Sequence, residues 1–140
     1  MKRKKTSKMG LAAVLAVVAL GVSAQEKGSL TVRIEGLRNS KGTVLIALSD
    51  KEIPTDNQFL GANMAKADSA GMAFFFEQVP AIPVYVQVFH DENGNFQLDR
   101  TPEGIPAEGV GSVPGSRALP AFTVKADQKN ELTVQMSYFK

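Results

Sequence analysis

From Leu30 to Glu35 the chain alternates apolar and polar side chains: Leu30-Thr31-Val32-Arg33-Ile34-Glu35. A period of two is that of an extended chain with one buried face, so this stretch predicts a half-buried β-strand. Leu37 to Gly42 supplies turn residues, with Asn39 and Gly42 able to take the backbone angles of a tight turn. Thr43-Val44-Leu45-Ile46-Ala47-Leu48 then runs almost continuously apolar, as a central strand does. The first two strands are therefore expected to form a hairpin. From Ser49 to Ala67 the pattern fails, and Asp50, Pro54, Asp56, Asn57 and Gly61 predict a long connection with a short helical turn around Asn57 to Asn63.

Alternation returns at Met72-Ala73-Phe74-Phe75-Phe76-Glu77, and Val79-Pro80-Ala81-Ile82-Pro83 makes a stiff corner. Val84, Val86 and Val88 share one face of the next strand, with Tyr85, Gln87 and Phe89 on the other. A Gly- and Pro-rich loop is expected from His90 to about Ala118. Two strands finish the chain, Ala121 to Val124 and Leu132 to Met136, joined by Asp127-Gln128-Lys129-Asn130 as a hairpin turn. With no amphipathic helix, the pattern predicts an all-β fold, an antiparallel β-sandwich of immunoglobulin-like or transthyretin-like kind with six to seven strands. Its core should hold Leu30, Val32, Ile34, Val44, Ile46, Phe74, Phe76, Val84, Val86, Val88, Phe122, Val124, Leu132, Val134 and Met136. Phe75 faces away from Phe74 and Phe76, which predicts a second covered face or a ring beneath the long loop; a partner surface is the alternative.

Composition changes this picture at the N-terminus. Residues 1–8 carry five basic side chains and no acid, Met9 to Val22 is uncharged and apolar, and Val22-Ser23-Ala24 ends in small residues. That is the layout of a secretory signal peptide cleaved after Ala24, leaving residues 25–140 as a single domain. The apolar stretch is shorter than the roughly 20 residues that span a bilayer, so no transmembrane segment is expected after cleavage. The protein should be exported, to the periplasm or the medium. Sixteen Lys and Arg less the five before Ala24 leave eleven against fourteen acids, a net charge of −3 for the exported part. A nucleic-acid binder would carry the opposite balance. Absence of cysteine excludes disulfides, lipid attachment at the cleavage site and thiol chemistry.

The densest polar cluster is His90-Asp91-Glu92-Asn93-Gly94-Asn95-Phe96-Gln97-Leu98-Asp99. Asp91, Asn93 and Asn95 recur at every second residue, with Asp99 four further on, and Gln97 is placed to offer a backbone carbonyl. Oxygens spaced in this way let a loop wind around a hard cation, so Asp91, Asn93, Asn95, Gln97 and Asp99 are the candidate calcium ligands. Two features depart from such loops. Phe96 stands where a sharp turn wants glycine, and Pro102 stands at the twelfth position, with Glu103 one residue later. With so few charges the expected affinity is on the order of 10⁻⁴–10⁻³ M. The alternative is a loop satisfied by its own Asx turns, with no ion.

The single histidine, His90, lacks the partners that zinc requires and is expected to be a hydrogen-bonding residue packed under the loop. Ser112 lies in Gly111-Ser112-Val113-Pro114-Gly115, which is no nucleophile elbow. Asp91, Asp99, Glu103 and Glu108 could supply a carboxylate pair to a hydrolase, but any acidic loop would offer the same.

Gly36 to Val44, Val86 to Asn95, Leu98-Asp99, Gly104-Ile105-Pro106 and Glu108-Gly109 together resemble the bacterial domain-of-unknown-function 2141 family, most specifically through His-Asp-x-Asn-Gly-Asn. The resemblance implies a small exported β-sandwich of Gram-negative, often Bacteroidetes-like, bacteria, and it implies no activity. The chain departs from it at Val110 to Gly115, where an aromatic and an Asn-rich turn would follow, and at Ala81-Ile82-Pro83, where a glycine is usual. The expected function is that of a non-enzymatic binding module for a protein or glycan at the cell envelope. A hydrolase using acidic residues of the loop is the rival.

Overall fold

The computed structural model describes residues 24–56, 58–112 and 119–140. The signal segment expected at 1–24 lies outside these residues apart from Ala24, as does most of the loop after Ser112. The chain is all-β, as its periodicity requires. The described residues form eight strands where six or seven were expected: β1 (Lys27–Glu35), β2 (Thr43–Ser49), β3 (Gly61–Lys66), β4 (Met72–Pro80), β5 (Pro83–Asp91), β6 (Gly109–Ser112), β7 (Phe122–Thr123) and β8 (Lys129–Ser137). Among the described residues no helix is long and apolar enough to cross a membrane.

The strands do not form the expected plain antiparallel sandwich. They run in one mixed sheet in the order β3-β2-β5-β6-β8-β1-β4, with β7 beside β5. Two three-stranded halves, β3-β2-β5 and β8-β1-β4, are stitched together by the four residues of β6, which pairs with both β5 and β8. The β1–β8 pair is parallel, from Ser29 opposite Lys129 to Glu35 opposite Gln135. At the far ends β3 and β4 approach one another, with the Phe76 ring against Gly61, so the sheet comes close to closing into a barrel.

Both expected hairpins are corrected. β1 pairs with β4 and β8, whereas β2 pairs with β3 and β5. The segment between β1 and β2 is an arch from one half to the other, because Leu37 is buried in the core instead of standing on a solvent turn. At the end of the chain β7 pairs with β5 and β8 lies beside β1 and β6, so Asp127 to Asn130 joins strands that are not neighbours. That turn is held by the buried Asn130, whose amide donates to the carbonyls of Ser29, Lys125 and Gln128 while its oxygen accepts the Lys125 N–H.

The core collects the inward positions of β1, β2, β4, β5 and β8. Thirteen of the fifteen expected core residues are buried; Phe122 and Leu132 are only partly covered and pack against its rim. Leu37, Leu48, Ala67 and Val79 join it. Val79 was out of phase with Phe74 and Phe76 because Gln78, at φ 53°, bulges β4 and resets its alternation. Phe75 is 56% exposed, so neither a second layer nor the long loop covers it.

Candidate functional site

One end of the molecule gathers the arch, the end of β5, the loop from 92 to 108 and the C-terminal residues. β5 carries its alternation one step further than expected: His90 follows Val84, Val86 and Val88 on the inward face and is fully buried. Its Nε2 lies 2.6 Å from the Lys41 carbonyl oxygen and its Nδ1 lies 2.8 Å from the Tyr138 hydroxyl. A carbonyl only accepts, so Nε2 carries a proton; in the neutral ring Nδ1 then accepts from the Tyr138 hydroxyl. That hydroxyl in turn accepts the Arg38 backbone N–H at 3.2 Å. The Arg38 guanidinium sits 4.5 Å from the centre of the Tyr138 ring, a cation–π contact. His90 is the expected strut, with both nitrogens engaged. Tyr138 had no signal in the strand pattern, lying beyond the last alternating residues. Gly109 makes room for it, since a Cβ there would overlap the ring.

Asp91, also fully buried, breaks the alternation and turns its carboxylate under the loop. Oδ1 accepts the N–H groups of Gly94 and Asn95 at 3.0 and 3.2 Å, and Oδ2 accepts that of Phe96 at 2.8 Å. Three convergent backbone donors form a concave nest for its charge. The sharp turn that calcium loops place at the sixth position is present: Phe96 sits at φ 59°, in the left-handed region that glycine prefers, with its ring exposed. At Gly42 the arch crosses Asp91 so closely that a Cβ would overlap the Asp91 carbonyl oxygen, and φ there is +67°.

The remaining loop residues lie on the outer side. Asp99 accepts from the Asn93 amide at 2.6 Å and from the Asn95 amide at 2.9 and 3.0 Å. Asn93 Oδ1 accepts the Asn95 N–H and Asn95 Oδ1 accepts the Gln97 N–H, two successive Asx turns. The fold thus brings Asp91, Asn93, Asn95 and Asp99 into one hydrogen-bonded loop, with the two carboxylates bound to different donors. Gln97 is exposed at its rim. Glu103 is exposed as well. Among the described residues no group of three His, Asp or Glu side chains is arranged to hold a metal ion.

Glu108 and Glu92 fasten this loop to the body. Glu108 is buried and spans its base, accepting the N–H of Glu92 at 3.1 Å and that of Asp99 at 3.4 Å. Glu92 receives the Arg38 guanidinium and, at 2.7 Å, the Asn39 amide. Burial works to raise the Glu92 pKa, but the hydrogen bonds from Arg38 and Asn39, with the Arg38 charge, outweigh it and hold the carboxyl below the usual carboxylate range. Burial also pushes the Tyr138 hydroxyl pKa up. Ser112 is buried against Ser137, 2.7 Å between hydroxyl oxygens, three residues along β6 from Gly109, the strand partner of His90.

A different surface carries the exposed apolar groups. On the outer face of β2, β3 and β5 a groove of about 490 Å³ is lined by Leu45, Ala47, Phe59, Ala62, Met64 and Phe89, with Asn63 and Gln87 as its polar members. Sequence patterning missed it because β3 was expected to be part of a connection. The apolar residues Phe59, Leu60 and Met64, so close to a strand, were the available signal.

No curated protein and no solved structure matches the chain. The family model described as "Uncharacterized protein conserved in bacteria (DUF2141)" matches residues 32–130, a span that holds the whole of this polar network except Tyr138, and the chain belongs to that family.

Proposed function

We propose that this protein is an exported, non-enzymatic binding module of the cell envelope, and that its working surface is the apolar groove on the outer face of β2, β3 and β5. The observation that carries the reading is the groove itself, beside which Phe59, Met64 and Phe89 remain accessible. Its volume falls in the range of ligand clefts, and its lining is apolar with two amides to orient what enters. An extended protein segment with apolar side chains at alternate positions matches such a surface. The non-enzymatic part is supported by the polar end, where Asp91 and Glu108 are turned to backbone N–H groups and His90 has no free nitrogen.

Selection of displayed peptides on the purified chain tests the groove. Alternating apolar peptides should be recovered, and Phe59→Ser and Phe89→Ser should each weaken their binding at least 10-fold. Recovery of no peptide, alongside binding of envelope oligosaccharides that the same substitutions abolish, would assign the groove to glycans instead. Fractionation of the producing cells tests export, and a chain retained in the cytoplasm with residues 1–24 uncleaved sinks that part.

Calcium enters the same reading as a weak ligand of the loop's outer side. Rotating the amides of Asn93 and Asn95 about their last bonds would turn two oxygens toward the space beside Asp99 at the cost of the two Asx turns they make, leaving Asp91 on its backbone donors. A site with one free carboxylate binds on the order of 10⁻⁴–10⁻³ M. At about ten times that concentration, calcium should raise the melting temperature by several degrees. Coincident melting curves in calcium and in chelator would remove the ion and leave the loop held by its own hydrogen bonds.

A further inference from the structure

β3 is the feature the groove does not exhaust. It pairs with β2 from Lys66 opposite Thr43 to Gly61 opposite Leu48, and no strand pairs with its other side among the described residues. The Ala67 N–H donates to the Gly42 carbonyl, which continues this register. Antiparallel hydrogen bonds alternate along a strand, so Gly61, Asn63 and Ala65 face β2 and Ala62, Met64 and Lys66 aim their N–H and C=O outward. The Met64 N–H is met by the side-chain oxygen of the preceding Asn63, at 2.8 Å. A neighbouring side chain thus covers a donor that a strand would otherwise take.

We infer that this edge pairs with the same edge of a second copy, giving a two-fold dimer through β3. Edge strands that stay single usually carry prolines, bulges or several charges. Gly61-Ala62-Asn63-Met64-Ala65-Lys66 has none of these beyond Lys66 at its end, whereas the other edge, β4, has the Gln78 bulge, Glu77 and a terminal proline. The sequence is complementary to itself. With Met64 opposite the second copy's Met64, each Ala62 faces a Lys66, and every outward N–H and C=O of the three residues is used once the Asn63 side chain releases the Met64 N–H. No two lysines then stand opposite one another. Lys66 is the charge that β3 itself carries, and the connection leading into its other end holds Asp50, Glu52 and Asp56 against Lys51. An antiparallel pair sets Lys66 of each copy toward the acidic connection of the other. Because Ala62, Met64 and Lys66 lie on the outer face, the two grooves join into one apolar surface across the dimer. The inference rests on the groove as the working surface and adds that this surface is built from two copies.

Sedimentation velocity of the full chain over a hundredfold range of concentration is the test. The wild type should pass from monomer to dimer, and Met64→Pro, which removes one outward N–H and leaves the β2 ladder intact, should remain monomeric with its melting temperature nearly unchanged. The chain has no cysteine, so Met64→Cys offers a second arm. Opposed Cα atoms about 5.5 Å apart are within disulfide reach. Oxidation should link this variant into dimers and leave Glu77→Cys, on the other edge, unlinked. A wild type that stays monomeric throughout, a proline variant that dimerises normally, or equal linking of both cysteine variants overturns the dimer. A monomer that still binds peptides shows that the edge inference failed and the groove stands; a dimer that binds none shows the reverse.

Discussion

The two ends of this sheet treat their unpaired groups in opposite ways. Around Asp91 every buried carboxylate, imidazole and amide has found a donor or acceptor, and the loop, the arch and the C-terminus close over them. Along β3 the backbone edge is open and the apolar side chains of Phe59, Leu60 and Met64 face solvent. Buried polar groups are stabilising when complete and costly when one partner is missing, which suits them to holding a shape. Exposed apolar groups add little to folding and keep their burial energy for a partner. By this contrast the acidic loop, chemically the most suggestive part of the sequence, is a fastening, and the plain strand is the surface we propose for binding.

If the loop is a fastening, breaking its centre should do the most damage. Asp91→Ala removes the acceptor of three backbone N–H groups and leaves a hole where a fully buried side chain stood, and should destabilise by about 2–3 kcal/mol, lowering the melting temperature by roughly 10 °C. Tyr138→Phe removes the hydroxyl shared by His90 and Arg38 and should cost about 1–3 kcal/mol in denaturant titration. Phe96→Gly should work in the other direction. It relieves a left-handed backbone at an exposed side chain, for a gain of about 0.5–1 kcal/mol.

The pH dependence is a finer probe of the same end. Because the Glu92 pKa is lower in the folded chain, its contribution is present above the ordinary carboxylate range and is lost as pH falls through the folded value. Melting temperatures should therefore decline from pH 5 toward pH 3, and Glu92→Gln should flatten that limb. At the opposite end the expected effect on stability is smallest. Phe59→Ser should change it by no more than about 0.5 kcal/mol, so a larger loss would mean that the groove belongs to the core after all.

His90 as a strut, the strand that precedes it and the inward faces of β1, β2 and β5 were legible because each is a property of neighbours along the chain. β3 was not, since Gly61-Ala62-Asn63-Met64-Ala65-Lys66 has no β-branched residue and its flanks carry Pro54 and Asp68. β6 was hidden for a related reason. Its glycines are there because strands press on it: a Cβ on Gly111 would crowd Val134 and Val88. Val79 was lost to a one-residue bulge, and Tyr138 to the 48 residues that separate it from His90.

By itself, the sequence determined the all-β class, most of the core, and the turns within the acidic loop, where Asp91 bonds the N–H groups three to five residues on. Such bonds need no information beyond the adjacent chain. Only the tertiary structure decided which strands are neighbours, turning two apparent hairpins into an arch and a parallel β1–β8 pair. It alone set Glu108, Arg38 and Tyr138 against the loop and left one edge of β3 open. Strand pairing is fixed by how the whole sheet closes over a single core, and a local period of two is the same whichever partner a strand takes.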